Sequence, residues 1–406
     1  MKNYIKKYFN VLDNNSLILK INILFLIFFM SYDSMAITIP LYINSINIGV
    51  SYYGTILAIT LIIRSVIAIP ISNLNLNMKL KLLINVIGIN FCALIILVFI
   101  RNIFIVSIVF IIFLSSVSVL NIIINPILAN ISSKESYGLT FGVRDVFLFI
   151  GSATGMFLTG LIHNGNNYNT IFLFNIGLLF LISILIILIE RDVKVVIQNN
   201  INSENNSEEK CSCKNKLKEN VYIIKNDNTF MYYCLLCILL TIAASGFSYI
   251  PLLAQQYQIS DKHIYYTMST SLIISAILSI TGGKIIDRNN KKKVYILYIF
   301  MLFISYICFS VNSRTFFLVG MFIYSLNVSL DNISQVYFFS FFDNEKCDKY
   351  FGIISTLTLI TSSIATQIIG YIWDINYIYC ILICTVIMMC TLIIGYLKLG
   401  EVGEEK

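Results

Sequence analysis

The chain has 406 residues, of which 58% are hydrophobic and only 12% are charged, and its mean hydropathy is +0.83. One soluble core cannot bury that much apolar surface, so the composition excludes a soluble globular domain and predicts an integral membrane protein. The net charge of +7 is compatible with a nucleic-acid partner, but the cations follow the membrane topology, and we expect no nucleic-acid binding.

Apolar runs long enough to cross a membrane recur along the whole chain. A hydrocarbon layer takes about 20 helical residues, and the sequence contains about twelve such runs. The first begins after Lys20 and lacks a small-residue cleavage pattern, so we expect it to remain as a transmembrane helix. Before it, lysines and apolar side chains at helical spacing over residues 2–12 predict an amphipathic segment on the membrane surface.

Each of the first two predicted helices, over about 21–44 and 51–72, carries one charge at the same depth. Asp33 and Arg64 lie about fifteen residues from the centre of the loop that joins the helices. An unpaired charge near the bilayer centre costs at least about 2.5–3.5 kcal/mol. We therefore expect the two to neutralise each other; the alternative is that Arg64 bonds to backbone carbonyls while Asp33 faces water.

Two later helices carry stripes of polar side chains. Helix 4, over about 103–127, places Asn121 and Asn125 on one face, and helix 10, over about 315–341, carries a stronger stripe. That stripe consists of Asn327, Asp331 and Gln335, four residues apart. A polar stripe in a membrane points inward, where it either contacts a substrate or bonds a neighbouring helix.

Residues 191–228 separate two halves of similar length. This segment is rich in Asn, Glu, Ser and Lys, so it cannot bury a core, and it predicts a flexible linker. The halves on either side cover residues 1–190 and 229–406. In the second half, Tyr249 lies among the polar residues of helix 7, and helix 11, over about 351–373, ends at Trp373, which we expect at the membrane interface.

The stretch GGKIIDRNNKKK, residues 282–293, lies between two apolar runs. Paired glycines followed by charges predict that helix 8 ends here in a tight turn, with Asn290 in a left-handed conformation. Gly283, Asp287, Arg288 and the lysines that follow resemble the loop signature of the major facilitator superfamily of secondary transporters.

The chain also repeats itself. Pro40-Leu41 and Pro251-Leu252 are 211 positions apart, and the same offset aligns residues 72–82 with 283–293, although Leu76 and Asn77 replace the acid and the arginine of the signature. The fold class is therefore predicted as an all-α membrane protein with twelve transmembrane helices in two parallel six-helix repeats, as in this superfamily.

The resemblance implies where a site lies. In the superfamily, helices 1, 4, 7 and 10 line a cavity between the halves, and one half rocks against the other. The polar residues on those helices are Asp33, Asn121, Asn125, Tyr249, Asn327, Asp331 and Gln335. The resemblance further implies a latch in which Asp287 docks near Arg144, beside the start of helix 5.

Helix 5 carries Gly151, Gly155 and Gly160, which form a flat face for close helix packing. They also match part of the superfamily's helix-5 signature that is associated with antiporters, although Met156 and Thr159 replace its proline and one glycine.

A carboxylate in such a cavity meets water from alternate sides, so it can take up a proton on one side and release it on the other. Asp331 is the first candidate for this role because no cation shares its helix face, and Asp33 is the second. Alternatively, either acid binds a cationic group of the substrate. We expect proton-coupled efflux of a small organic molecule; the alternative is proton-coupled uptake.

Other classes are less well supported. An enzyme in the membrane needs clustered ligands or a nucleophile with a base, but His163 and His263 are the only histidines and lie at outer ends of spans. A channel does not suit the two-half design. Cys234 and Cys237 lie in an apolar helix and indicate buried thiols, whereas Cys211 and Cys213 in the linker either bind a soft metal or remain thiols.

The cations fix the expected orientation. If the spans alternate, 24 of the 28 Lys and Arg residues fall on the side of the termini, and the positive-inside rule places that side in the cytoplasm. We expect a multi-pass monomer in a bacterial plasma membrane, with the lipid bilayer, a small-molecule substrate and the proton as partners and without a cofactor or metal.

Overall fold

The computed structural model describes residues 16–72, 74–100, 102–131, 137–163, 168–200, 228–288, 290–330, 333–334, 337–338 and 344–399. These residues are almost entirely helical and contain no strand. The predicted amphipathic segment and most of the predicted linker, with Cys211 and Cys213, lie outside the described residues.

The first half contains six helices. They are α1 (Ser16–Ser45), α2 (Val50–Ser72), α3 (Leu76–Phe99), α4 (Ile103–Ile131), α5 (Tyr137–Ile162) and α6 (Asn169–Asn200). Helix α6 extends ten residues beyond the predicted boundary at 190, so the start of the predicted linker is helical.

The second half adds six more, of which the first is bent. Helix α7 consists of three consecutive pieces, Asn228–Ala244, a 3₁₀ turn over Ser245–Tyr249, and Ile250–Gln256. The others are α8 (Asp261–Arg288), α9 (Lys291–Ser310), α10 (Arg314–Val328), α11 (Asn344–Ile375) and α12 (Tyr377–Lys398). Helix α10 ends thirteen residues before the sequence predicts, although residues 333–334 and 337–338 are also helical, and α11 begins seven residues earlier.

Ten of these helices are long and apolar enough to cross a membrane, and α10 is a shorter apolar helix. Large apolar side chains cover their outer surfaces, with Phe99 and Ile375 more than three-quarters exposed. In water such a surface would cause aggregation, whereas in a bilayer it contacts lipid. The chain is a multi-pass membrane protein.

The two halves repeat with the offset found in the sequence. Four helix ends in the first half have counterparts 211 positions later, and these pairs are Ser45 and Gln256, Val50 and Asp261, Phe99 and Ser310, and Ile103 and Arg314. Asn47 and Gln258, also 211 apart, share a left-handed backbone with φ of 56° and end α1 and α7 alike. The backbone therefore shows the parallel six-helix repeat that the sequence predicts.

One helix ends and the next begins within the predicted stretch 282–293, but the break does not fall at the paired glycines. Helix α8 continues through both glycines to Arg288, because glycine inside a helix costs only about 1 kcal/mol and does not by itself end it. Helix α9 begins at Lys291. Asn290 has φ of −59°, which is not left-handed, and its side chain accepts a hydrogen bond from the Lys292 amide as the N-cap of α9.

The halves meet along two helix pairs, α2 with α11 and α5 with α8. Helix α5 also packs on α1, with glycines at the contact. A Cβ atom on Gly151 or Gly155 would lie 2.1 or 2.0 Å from the carbonyl oxygen of Leu26 or Met30. These distances leave no room for a side chain. Gly160 lies farther along α5, against Tyr265 and Tyr266 of α8.

Replacing Gly155 with alanine is expected to destabilise the protein by about 1–3 kcal/mol, because the methyl group would force α1 away from α5. Gly88, in α3, has open space around its Cβ position, so Gly88→Ala serves as the matched control and should be neutral or stabilising by up to about 1 kcal/mol. Thermal unfolding of the purified variants in detergent measures both. Equal unfolding temperatures would contradict the packing account.

Candidate functional site

A cavity of about 380 Å³ lies between the two halves. Its size is near the lower end of the roughly 300–1,000 Å³ of small-molecule sites. Eight helices contribute to its wall, α1, α2, α4 and α5 from the first half and α7, α8, α10 and α11 from the second. The cavity is thus lined by more helices than the four that the resemblance implies.

Two charged side chains, Asp33 and Arg64, lie in this otherwise mostly apolar wall. They do not form the predicted ion pair: no nitrogen of Arg64 lies within 4.0 Å of an Asp33 oxygen. Asp33 instead accepts a hydrogen bond from the Ser152 hydroxyl on α5. Ser152 is fully buried beside Gly151, where α5 packs on α1.

Arg64 bonds to neutral groups, as the alternative anticipated. Its Nε donates to the Leu114 carbonyl at 3.1 Å, and its Nη2 donates to the same carbonyl and to the Tyr32 hydroxyl. Its guanidinium carbon lies 5.9 Å from the centre of the Tyr32 ring. These contacts satisfy one edge of the guanidinium without neutralising its charge.

Aromatic rings form much of the remaining wall. Phe247, in the 3₁₀ turn of α7, stacks on Tyr324 of α10 with ring centres 4.5 Å apart. Pro251 follows this turn and lacks the N–H that an uninterrupted α-helix would use. Gly246, within the turn, packs closely on Tyr306, because a Cβ atom at this position would lie 2.7 Å from the Tyr306 hydroxyl. The bend in α7 therefore presents Phe247 and Ser248 to the cavity.

A second aromatic group, which we term the lid, separates the cavity from the side where α1 ends. The lid consists of Tyr53, Tyr249 and Trp373, from α2, α7 and α11. Tyr249 stacks on Trp373 at 5.6 Å and donates to the Thr366 carbonyl at 2.6 Å. Tyr249 was predicted in the binding site, but the structure places it in the lid, where Trp373, near the end of α11, is also buried.

We term the side on which α1 begins and α12 ends the terminal side, and the opposite side the loop side. On the loop side, Asp374 of α11 accepts hydrogen bonds from the backbone amides of Val50 and Ser51 at 2.7 and 3.0 Å. These amides start α2, so a carboxylate from the second half caps a helix of the first. Nothing in the sequence around Asp374 indicated this contact.

A polar cluster forms a second loop-side contact between the halves. Asn44 donates to Gln255 at 2.7 Å, and these two residues are related by the 211-residue offset. Asp261 accepts from Gln255 and from Tyr168, and its carboxylate lies 3.6 Å from Nε2 of His163. Among the described residues, the hydrogen bonds observed between the halves all lie in the loop-side part of the helices.

The other predicted binding residues lie outside the cavity wall or outside the described residues. Asn327 is buried and donates to the Tyr298 carbonyl at 2.6 Å, which joins α10 to α9. Asn121 and Asn125 do not line the cavity. The remaining two members of the α10 stripe, Asp331 and Gln335, lie outside the described residues.

Arg144 lies in the terminal-side part of α5, where the latch is predicted. It donates to Asp145 and, at 2.9 Å, to the Asn125 side chain, so Asn125 bonds a neighbouring helix. Gly283, Asp287 and Arg288 belong to the last part of α8, but their side chains are outside the described part of the structure. The latch therefore remains a prediction.

The sequence matches the family model of the Major Facilitator Superfamily over residues 21–365, and a second match covers 231–406. The chain belongs to this superfamily. Its members are transporters, so the chain is a transporter rather than an enzyme. No curated protein sequence matches it.

Solved transporters share the superfamily fold with the chain at low sequence identity. A mutant of the nucleoside transporter NupG has a TM-score of 0.73 at 12% identity, covering 95% of this chain and 100% of that one. The D-xylose-proton symporter gives 0.73 at 12%, covering 96% and 99%. A bacterial homolog of the human lysosomal transporter Spinster, inward-facing and unoccupied, gives 0.67 at 9%, covering 94% and 96%.

Replacing Asp374 with asparagine should weaken the loop-side closure, because the neutral amide loses the charge-assisted bonds to the start of α2. Spin labels on Asn102→Cys and Ser313→Cys, in a cysteine-free background, report the loop-side separation. We expect a longer distance component to appear in the variant. Asp192→Asn, which removes an acid paired with Lys20 within the first half, is the control. Unchanged distances in Asp374→Asn would refute the capping role.

Proposed function

We propose that this superfamily member is a proton-coupled secondary transporter that moves a small organic molecule by alternating access. The observation that carries the proposal is the cavity between two repeated halves, joined on the loop side, with the Asp33 carboxylate in its wall and not ion-paired to Arg64. A rocking motion that breaks the loop-side bonds would expose the same wall to the other side.

Asp33 is the group that we propose to carry the proton among the described residues. Its carboxylate is held by one hydroxyl and faces a largely apolar cavity, so its protonation follows its access to water. Protonation also removes one of the two charges of the wall. Asp331, the first candidate from the sequence, remains a second proton site in this proposal.

The topology completes the proposal. The excess of cations on the terminal side supports cytoplasmic termini, and the joined loop side then faces outward; the membrane in this proposal is a bacterial plasma membrane. In the opposite state, Asp287 closes the terminal side by docking near Arg144. A single chain contains both halves and the whole described cavity, which supports a transporter that acts as a monomer.

Export in exchange for protons is the direction favoured by the glycines of α5, which match part of an antiporter signature. Uptake together with a proton is the second candidate, and Arg64 favours it. When Asp33 is protonated, Arg64 leaves the wall with a positive charge, which attracts an anion in the same state that holds the proton.

Proteoliposomes that carry an imposed pH gradient and a mixture of small organic solutes test the proposal. We expect at least one solute to accumulate only with the gradient; an acidic interior drives accumulation by exchange, and an acidic exterior drives it by symport. Asp33→Asn should abolish the accumulation, since the amide takes up no proton. Asp192→Asn, which alters an acid outside the cavity, should retain it. A solute distribution that ignores the gradient would refute proton coupling.

A further inference from the structure

We infer that the substrate carries an anionic group, such as a carboxylate, on an aromatic or aliphatic body, and that Arg64 binds the anionic group. This inference rests on the proposed transport function, because it assigns the substrate class of the same cavity. It is carried by the contacts of Arg64 and by the composition of the wall around it.

Three hydrogen bonds hold the guanidinium of Arg64 in place. Nε and Nη2 share the Leu114 carbonyl, and Nη2 also reaches the Tyr32 hydroxyl. Leu114 lies on α4 and Tyr32 on α1, so two neighbouring helices fix a side chain from a third. A fixed cation loses little conformational entropy when a ligand binds, which favours a role in recognition over one in filling space.

The charge of this guanidinium is not compensated by a nearby acid. Among the described residues, no carboxylate oxygen lies within 4.0 Å of Arg64, and none accepts a hydrogen bond from its Nη1. Arginine stays protonated in proteins. Two N–H donors of a permanent cation therefore remain for a ligand of the cavity that Arg64 lines.

A carboxylate suits these donors better than a neutral group does. Hydrogen bonds between guanidinium and carboxylate are charge-assisted and about twice as strong as bonds between neutral partners. A neutral hydroxyl would leave the charge uncompensated in a mostly apolar wall. Asp33 is not an equivalent partner, because its carboxylate bonds Ser152 on α5 and loses its charge whenever it holds a proton.

The rest of the wall indicates an apolar body for the substrate. The stacked rings of Phe247 and Tyr324 face the cavity together with Leu57, Met156 and Leu272. Such a surface gains free energy by covering an aromatic ring or an aliphatic chain.

Three probes of similar shape but different charge test which charge the site prefers. At neutral pH, 3-phenylpropionate is an anion, 3-phenylpropan-1-ol is neutral and 3-phenylpropylamine is a cation. Their affinities for the purified full-length protein are measured by isothermal titration calorimetry. We expect the anion to bind at least about tenfold more tightly than the alcohol, and the amine to bind most weakly. Equal affinities, or tightest binding of the amine, would overturn the assignment.

Variants identify the residue responsible. Arg64→Gln should weaken anion binding about tenfold or more while the affinity for the alcohol stays the same, and Arg64→Lys should recover part of the loss. Asp33→Asn should tighten anion binding, because it removes the opposing charge. Lys262→Gln, which removes an exposed loop-side cation, controls for surface charge and should bind all three probes as the parent does.

Two further outcomes would overturn the inference. Loss of anion binding in Asp33→Asn would show that the acid takes part directly in holding the anion, and an unaltered affinity in Arg64→Gln would exclude Arg64. Neither outcome bears on proton coupling, which the vesicle assay measures separately. Gradient-driven transport with tight binding of the amine would refute the anion assignment alone, whereas anion binding without gradient-driven transport would refute the proposed function alone.

Discussion

The structure depends on the contact between the loop-side ends of two copies of one six-helix unit. Each copy is held together along its helices, with backbones in direct contact where Gly151 and Gly155 meet α1. The copies meet each other along α2 with α11 and α5 with α8, and among the described residues a small number of polar bonds join them, including the one between the equivalent residues Asn44 and Gln255. Few bonds of about 1 kcal/mol each can be broken and re-formed, and this is what a rocking motion requires.

The cavity is the consequence of that contact. The lid of Tyr53, Tyr249 and Trp373 covers it on the loop side, and the bend in α7 turns Phe247 into it. The two charges of the wall are kept apart, since Asp33 bonds Ser152 while Arg64 bonds a carbonyl and Tyr32. An ion pair between them would neutralise the site, whereas in the mechanism we propose their separation leaves one group for a proton and the other for an anion.

The sequence predicted the architecture well because membrane helices obey strong local constraints. The length of apolar runs and the 211-residue offset gave twelve helices in two repeats, and the backbone repeats with the same offset. Contacts that depend on tertiary geometry were less predictable. The sequence places Asp33 and Arg64 at the same depth, but depth alone does not show whether the two side chains contact each other. In the structure, the Leu114 carbonyl and the Tyr32 hydroxyl bind the guanidinium instead. Asp374 and the lid residues act through partners more than a hundred positions away.

The most direct test is to measure both sides of the bundle in one preparation. Spin labels at positions 102 and 313 report the loop side, and labels at 78 and 293 report the terminal side. With changing pH or an added anionic probe, the account predicts two populations in which a longer loop-side distance accompanies a shorter terminal-side distance. A single distance on each side under all conditions, or changes on one side alone, would contradict alternating access.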